Sequence, residues 1–332
     1  MREATRMPEP EVLRVPERPG HRVPRVTSGD ALFVPALIVL LGLYLRLRSP
    51  FFFTSRNIEQ LLLQGSVLGI AAVGVTFVVI CGELDLSIGS NVALSGVVAA
   101  VGMTSWTHNW VAGALLGVGC GLAIGLVNGI LTAYVRVPAF IATLGTGVIA
   151  GGFALYLTKG LTIAGLPKSF AALATTKIVG LQSLVWFMFG SLVLGGILLH
   201  LTNYGIRTFS VGDNREAAFL AGLPVAALRL TNFVIAGLSG GLGGTLLTAR
   251  VQAGQPGIGT SLTLYATAAV ILGGTSILGG QGSMVRTAFG VLLIAVVQNG
   301  LDILGVDYAL QQVAVGAVFV LAACSEAVRR RR

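Results

Sequence analysis

The sequence predicts an all-α, polytopic transmembrane helical bundle of about 10 spans, and three observations carry that expectation. Of its 332 residues 54% are hydrophobic and only 11% charged, whereas a soluble domain carries about 25% charged residues. The apolar stretches exceed the roughly 20 residues with which a helix crosses a bilayer. The alternating pattern of a membrane β-barrel is absent, which leaves helices as the structure that satisfies its own backbone in lipid.

Residues 1–30 hold Arg2, Arg6, Arg14, Arg18, Arg22 and Arg25 among several prolines. Charge and proline without an apolar core predict a disordered cytoplasmic tail, neither a cleaved signal nor a folded domain. Glu3, Glu9, Glu11 and Glu17 dilute its charge and no aromatic residue interleaves it. Membrane lipid therefore fits as a contact, and nucleic acid does not.

Spans are expected at 31–48, 58–80, 86–103, 109–133, 138–157, 181–201, 225–248, 261–279, 283–301 and 308–327. Together they make a transmembrane domain over 31–328, followed by a basic end at 329–332. Glycine-rich joints such as Gly279-Gly280-Gln281-Gly282 leave room for a re-entrant or broken helix near the eighth and ninth spans. Gly117, Gly121 and Gly125, and again Gly237, Gly240, Gly241 and Gly244, form small-residue stripes suited to close helix packing.

With the N-terminus inside, 15 of the Lys and Arg residues fall on inner segments and 7 on outer ones. The positive-inside rule then places both termini, and the polar segment 203–224, in the cytoplasm. Arg46, Arg48 and Arg56 crowd one outer end, where long basic side chains snorkel toward headgroups.

Asn203 to Pro224 is the polar interruption of the chain. Asp213 or Asn214 reads as an N-cap after a turn at Val211-Gly212-Asp213-Asn214, and Arg215 and Glu216 open a short amphipathic helix. Ala217, Ala218, Phe219, Leu220 and Ala221 continue that helix, and Gly222 and Pro224 end it.

A second polar stretch is Gly82-Glu83-Leu84-Asp85-Leu86-Ser87-Ile88-Gly89-Ser90. Asp85 reads as a cap bonding the amide of Ser87 or Ile88, with Glu83 in headgroup water. Alternatively a broken helix sets Glu83, Asp85 and Ser87 on a polar pathway. Asn91, Asn128, Gln298 and Asn299 either line that pathway or hydrogen-bond helices together.

Reactive chemistry is not indicated. Cys81, Cys120 and Cys324 are isolated, so neither a disulfide framework nor a metal cluster is expected. His21, His108 and His200 are isolated too. No phosphate-binding loop occurs, and Gly273-Gly274-Thr275-Ser276 lacks the lysine such a loop needs. The residues give the chain no cofactor, metal or catalytic site of its own.

Gly82 to Ser90 resembles the signature of the ribose and simple-sugar ABC importer permease family, within the superfamily that includes the branched-chain amino-acid permeases. The likeness continues in order through Pro138-Ala139-Phe140-Ile141-Ala142-Thr143-Leu144-Gly145, then Gly212 to Gly222, then Leu272 to Gly282, and finally Gln298 to Val306. Glu83-Leu84 stands where Gly-Ile is common in the family, and Gln281 where a lysine is common. The resemblance implies a type II-like permease with inverted repeats and broken helices in the bacterial inner membrane. Glu216-Ala217-Ala218, three residues and Gly222 resemble the coupling loop of such permeases, which makes Asp213, Asn214, Arg215, Glu216, Ala217, Ala218 and Gly222 the ATPase-contacting set.

The implied partners are ABC ATPase subunits that hold ATP and magnesium, a periplasmic or lipid-anchored solute-binding protein, and a second permease subunit, identical or related. The implied cargo is a small polar solute, a monosaccharide or related polyol, with nucleosides and amino acids as alternatives. On the residues alone a second class stays open: a stand-alone secondary transporter or channel using Glu83 and Asp85 for ion coupling. Ser87-Ile88-Gly89-Ser90 faintly echoes Gly257-Ile258-Gly259-Thr260.

Overall fold

The computed structural model describes residues 28–307, 309–317 and 320; of the tail expected at 1–30, residues 28–30 open the first helix and the rest lie outside the described residues, as does the basic end at 329–332. Twelve α-helices follow one another as α1 (Ser28–Arg48), α2 (Ser55–Ile80), α3 (Ile88–Val101), α4 (Trp110–Ala133), α5 (Ala139–Thr158), α6 (Lys168–Thr175), α7 (Ser183–His200), α8 (Asn203–Asp213), α9 (Arg215–Leu220), α10 (Val225–Val251), α11 (Leu262–Leu272) and α12 (Met284–Ile303). A π-helical turn, Gly102–Trp106, extends α3. Residues 309–317 are helical as well, within the tenth expected span. Seven of the described helices are long and apolar enough to cross a membrane, which makes this a multi-pass membrane protein.

The core is built around α2 and α10. Thr54 caps α2 by accepting from the Asn57 amide, and the helix is buried almost continuously from Leu61 to Ile80. It packs against α7, α10, α11 and α12, while α10 also packs against α3, α4 and α6. The glycine stripes of the sequence meet face to face here. A methyl group on Gly121 would lie 2.3 Å from the Gly241 Cα, and one on Gly237 would lie 2.5 Å from the Gly121 carbonyl. Backbone thus rests on backbone along α4 and α10, the geometry that small residues permit in membranes.

Two helices are interrupted. Residues 81–87 run without helix between α2 and α3, and the eighth expected span, 261–279, is corrected to the 11-residue α11 followed by an irregular joint to Ser283. At about 1.5 Å per residue α11 covers roughly half of a ~30 Å hydrocarbon core. The interrupted helices touch: a methyl on Gly89 would lie 2.3 Å from the Gly259 carbonyl, and one on Gly259 2.1 Å from the Gly89 carbonyl. The Gly89 amide also donates to Thr263 Oγ1 at 2.9 Å. The faint echo between Ser87–Ser90 and Gly257–Thr260 is therefore a physical contact.

One end of the bundle carries α8 and α9, the end of α2 and the joint after α11. The other carries a small cap that hydropathy does not mark: α6, and a hairpin of β1 (Lys177–Ile178) with β2 (Leu181–Gln182). Lys177 pairs there with Glu59 at 3.1 Å, with 60% and 18% of their side chains exposed, a geometry worth little in stability. An isolated bridge joins Ile163 to Gly254 beside it.

The glycine contact between α4 and α10 is testable by adding one methyl group. Gly121→Ala is expected to lower stability by about 1–3 kcal/mol through overpacking. Gly119→Ala, where the new methyl meets nothing within 4 Å, is expected to be neutral or slightly stabilising. Thermal unfolding of the two purified variants in detergent checks the difference.

Candidate functional site

The polar segment 203–224 folds as two helices meeting at a corner. Thr202 caps α8 by accepting from the Gly205 amide at 3.4 Å, and α8 runs through the place where a turn was expected at Val211–Asn214. Gly212 is thus helical, and its glycine is needed for proximity: a methyl there would lie 1.8 Å from the Ile80 carbonyl and 2.6 Å from the Gly280 nitrogen. Asn214 makes the corner with extended backbone and caps α9, its side-chain oxygen accepting from Ala217 at 2.9 Å. Of the two caps proposed from sequence, Asn214 is the one used, and Asp213 closes α8.

Gly222, at φ +80°, ends the segment in the left-handed region that glycine tolerates. The helix α9 is two-faced. Ala218 is buried with Cys81, Val211 and Leu228, while Phe219 and Leu220 are 69% and 79% exposed. Arg215, Glu216 and Ala217 are exposed beside them.

Next to α9 lies a cleft of about 840 Å³, walled by Tyr134, Arg136 and Pro138 of the α4–α5 turn and by Arg215, Glu216, Phe219 and Arg229. At its floor Glu83 offers one carboxylate oxygen to two arginines. Arg215 Nη2 donates to Glu83 Oε1 at 2.7 Å, and Arg229 donates to the same atom through Nε at 2.7 Å and Nη2 at 2.6 Å. The Glu83 side chain is 7% exposed and Arg229 11%, whereas Arg215 is 45% exposed. Glu83 was expected in headgroup water or on a pathway with Asp85 and Ser87; its carboxylate turns instead to the polar segment and to the first turn of α10.

Asp85 makes the bond to the Ser87 amide expected of it, although the N-cap position of α3 is taken by Ser87 and not by Asp85. Its Oδ1 accepts from the Ser87 amide at 2.8 Å and from the Ser87 hydroxyl at 2.6 Å. The chain of bonds continues: Asn128 Nδ2 donates to Ser87 Oγ at 2.8 Å, and Thr146 Oγ1 donates to Asn128 Oδ1 at 2.6 Å. Thr143 Oγ1 accepts from the Leu86 amide at 3.1 Å. Asp85, Ser87 and Asn128 are 3% exposed or less, so α3, α4 and α5 meet through one satisfied polar network. Thr143 and Thr146 escaped the sequence reading, because a hydroxyl in an apolar helix looks like a group bonded to its own backbone.

The remaining pathway candidates lie elsewhere. Asn91 donates to the Gly121 and Gly237 carbonyls at 3.3 and 3.2 Å and accepts from Ser95, which bridges α3 to the glycine contact. Asn299 exchanges two 2.9 Å amide bonds with Asn57 at the opposite end of α2. Gln298 is partly buried in α12. Among the described residues no group of three or more His, Cys, Asp or Glu is placed to hold a metal ion.

Burial pushes the Cys81 thiol up to about 11 and the Tyr204 hydroxyl up to about 12. A thiol held protonated alkylates slowly, so Cys81 is expected to resist N-ethylmaleimide near neutral pH and to react only in unfolded protein, as mass spectrometry would read. The arginines are predicted to differ in stability. Arg229→Met removes the better-buried of the two partners of Glu83 and leaves it to Arg215, and is expected to cost about 1.5–3 kcal/mol, the range for a hydrogen bond to a charged group, whereas Arg215→Met, at a half-exposed partner, is expected to cost about 0–1 kcal/mol. Thermal unfolding separates these outcomes.

Relatives of the chain fit this arrangement. An L-arabinose ABC transporter permease protein of Azospirillum brasilense is 35% identical over 98% of this chain and 95% of its own length. A ribose import permease protein of Bacillus subtilis is 37% identical over 86% of this chain and 89% of its own. A D-allose transport system permease protein of Escherichia coli K12 is 33% identical over 86% and 88%. No solved structure matches the chain. Residues 57–323, nearly the whole described bundle, match the family described as the branched-chain amino acid transport system / permease component, and the chain belongs to that family.

Proposed function

We propose that this chain is the membrane-spanning permease subunit of an ATP-driven importer that carries a monosaccharide. The observation that carries this reading is α9: a capped helix of six residues that shows Phe219 and Leu220 to the outside beside a charged cleft. An exposed apolar pair on a polar, charged segment supports a partner-binding surface there, and a chain without a phosphate loop needs a partner for ATP. The partner is the ATPase subunit, which holds ATP and magnesium; Asp213, Asn214, Arg215, Glu216, Ala217, Ala218 and Gly222 form the contact segment. Basic residues crowd the same end, with Arg136, Arg215 and Arg229 around one cleft, which supports a cytoplasmic location for it and cytoplasmic termini in a bacterial inner membrane.

The family's description names branched-chain amino acids, whereas the three relatives are named for arabinose, ribose and allose. Names attached to close, nearly full-length relatives outweigh a broad family label, so a sugar is the favoured cargo. A second permease subunit would complete the passage, and a solute-binding protein would load it. Asp85, Ser87, Asn91 and Asn128 frame the interrupted helix α3 at the passage, Gln298 lies apart on α12, and Asn299 serves to hold α12 to α2. Ion coupling is disfavoured because the Glu83 carboxylate is neutralised by arginines and the Asp85 carboxylate is bonded to Ser87.

Uptake of radiolabelled L-arabinose, D-ribose and leucine into vesicles bearing the assembled transporter tests this. Sugar uptake is expected to require the ATPase subunits and to survive dissipation of the proton gradient; uptake without those subunits, abolished by a protonophore, would overturn the reading. Glu216→Ala and Gly222→Leu are expected to lower sugar uptake by about tenfold while ATP hydrolysis continues, a coupling loss within the 1–3 kcal/mol scale of linked sites.

A further inference from the structure

The segment α8–α9 touches both interrupted helices, and it does so by two different means. Through backbone, Gly212 packs against the Ile80 carbonyl, which in turn accepts from the Gly280 amide at 2.9 Å. That contact reaches the joint behind α11. Through charge, Arg215 at the start of α9 reaches Glu83 in the stretch leading into α3. Four residues beyond Glu83 the Asp85–Ser87–Asn128 network fixes the start of α3, and Gly89 lies against Gly259 at the other interrupted helix.

The two arginines on Glu83 are not equivalent. Arg229 is almost buried, gives two contacts and belongs to the long helix α10, whose Gly237 and Gly241 lie against Gly121 and Gly125 of α4. Arg215 is nearly half exposed, gives one contact and belongs to the short helix α9 at the surface. A single carboxylate oxygen between two cations leaves a net positive cluster, so loss of one cation still leaves a satisfied pair. One partner is built to stay and the other to leave.

We propose that Glu83 is a positioning residue for transport, held by Arg229 and gripped by Arg215 as a releasable arm, through which movement of α9 is passed to the start of α3. This rests on the reading of α9 as the ATPase-contacting helix. It assigns to Glu83 a role apart from solute contact, and it gives the cluster a state in which Arg215 has withdrawn while the Glu83–Arg229 pair persists.

The test uses the complete transporter, this chain with its ATPase subunits, in proteoliposomes, and reads sugar imported per ATP hydrolysed. Glu83→Gln and Arg215→Gln are each expected to lower that ratio by about tenfold, inside the 5–150-fold range of typical site coupling, and with Glu83→Gln, whose side chain is buried and outside the ATPase-contacting set, the ATPase subunits are expected to co-purify in normal amount. Arg215→Lys is expected to hold the ratio within about twofold, because the contact is a single donor and not a bidentate fork. Arg215 is exposed enough that its replacement leaves folding intact, so a folding defect in Glu83→Gln alone does not end the test. A wild-type ratio in Arg215→Gln overturns the proposal, as does uptake falling in step with hydrolysis and with the amount of assembled complex. Import by the wild-type chain without any ATPase subunit would overturn the functional reading instead.

Discussion

Backbone that leaves the helix inside an apolar bundle carries amides and carbonyls that lipid cannot satisfy, and two stretches of this chain do so. Residues 81–87 resolve it with side chains: Asp85 takes the Ser87 amide, Thr143 takes the Leu86 amide and donates to the Leu84 carbonyl. The stretch before α11 resolves it with glycine, whose absent side chain lets Gly259 lie against Gly89, and with Gly254, which bridges Ile163 in both directions at 2.9 Å. The placement of α3, α4, α5 and α11 follows from these bonds. A bundle that answered hydropathy alone would have continued both helices and closed the gap where they meet.

Much of this was legible in the sequence, for physical reasons that differ by element. The long spans announce themselves because burial in lipid demands length and apolarity together, and α4, expected at 109–133, is found at Trp110–Ala133. The corner at Asn214 and the stop at Gly222 were legible because capping and left-handed backbone are local chemistry. The break after α11 was legible only in part: Gly279-Gly280-Gln281-Gly282 left room for a broken helix near the eighth and ninth spans, yet the expected span ran to 279 although α11 ends at Leu272. The helicity of α8 was hidden by Gly212, which read as a turn residue; it is a point of contact, with the Ile80 carbonyl where a methyl would sit.

The site was legible in its parts and not in its pairing. Glu83 and Arg215 are 132 residues apart and Glu83 and Arg229 146 apart, so no periodicity or local spacing connects them. A carboxylate beside apolar runs invited a pathway role, and only the fold brings its cations to it. The same holds for Asn57 and Asn299, 242 residues apart, whose amides bond each other in both directions. Asp85 and Ser87 were grouped from sequence, and what the fold adds is that Asn128, weighed there separately, bonds to Ser87.

The contact between α4 and α10 has a mechanical consequence. Where backbone meets backbone there are no rotamers to switch and no flexible chains to slide, and the gap is too narrow for water or an acyl tail to enter by degrees. The two helices therefore form a stiff plate, and whatever rocking accompanies transport is displaced to neighbours that meet through longer side chains, such as α7 against α12, where Met284 lies against Gly195 and Gly196 and its flexible thioether can yield.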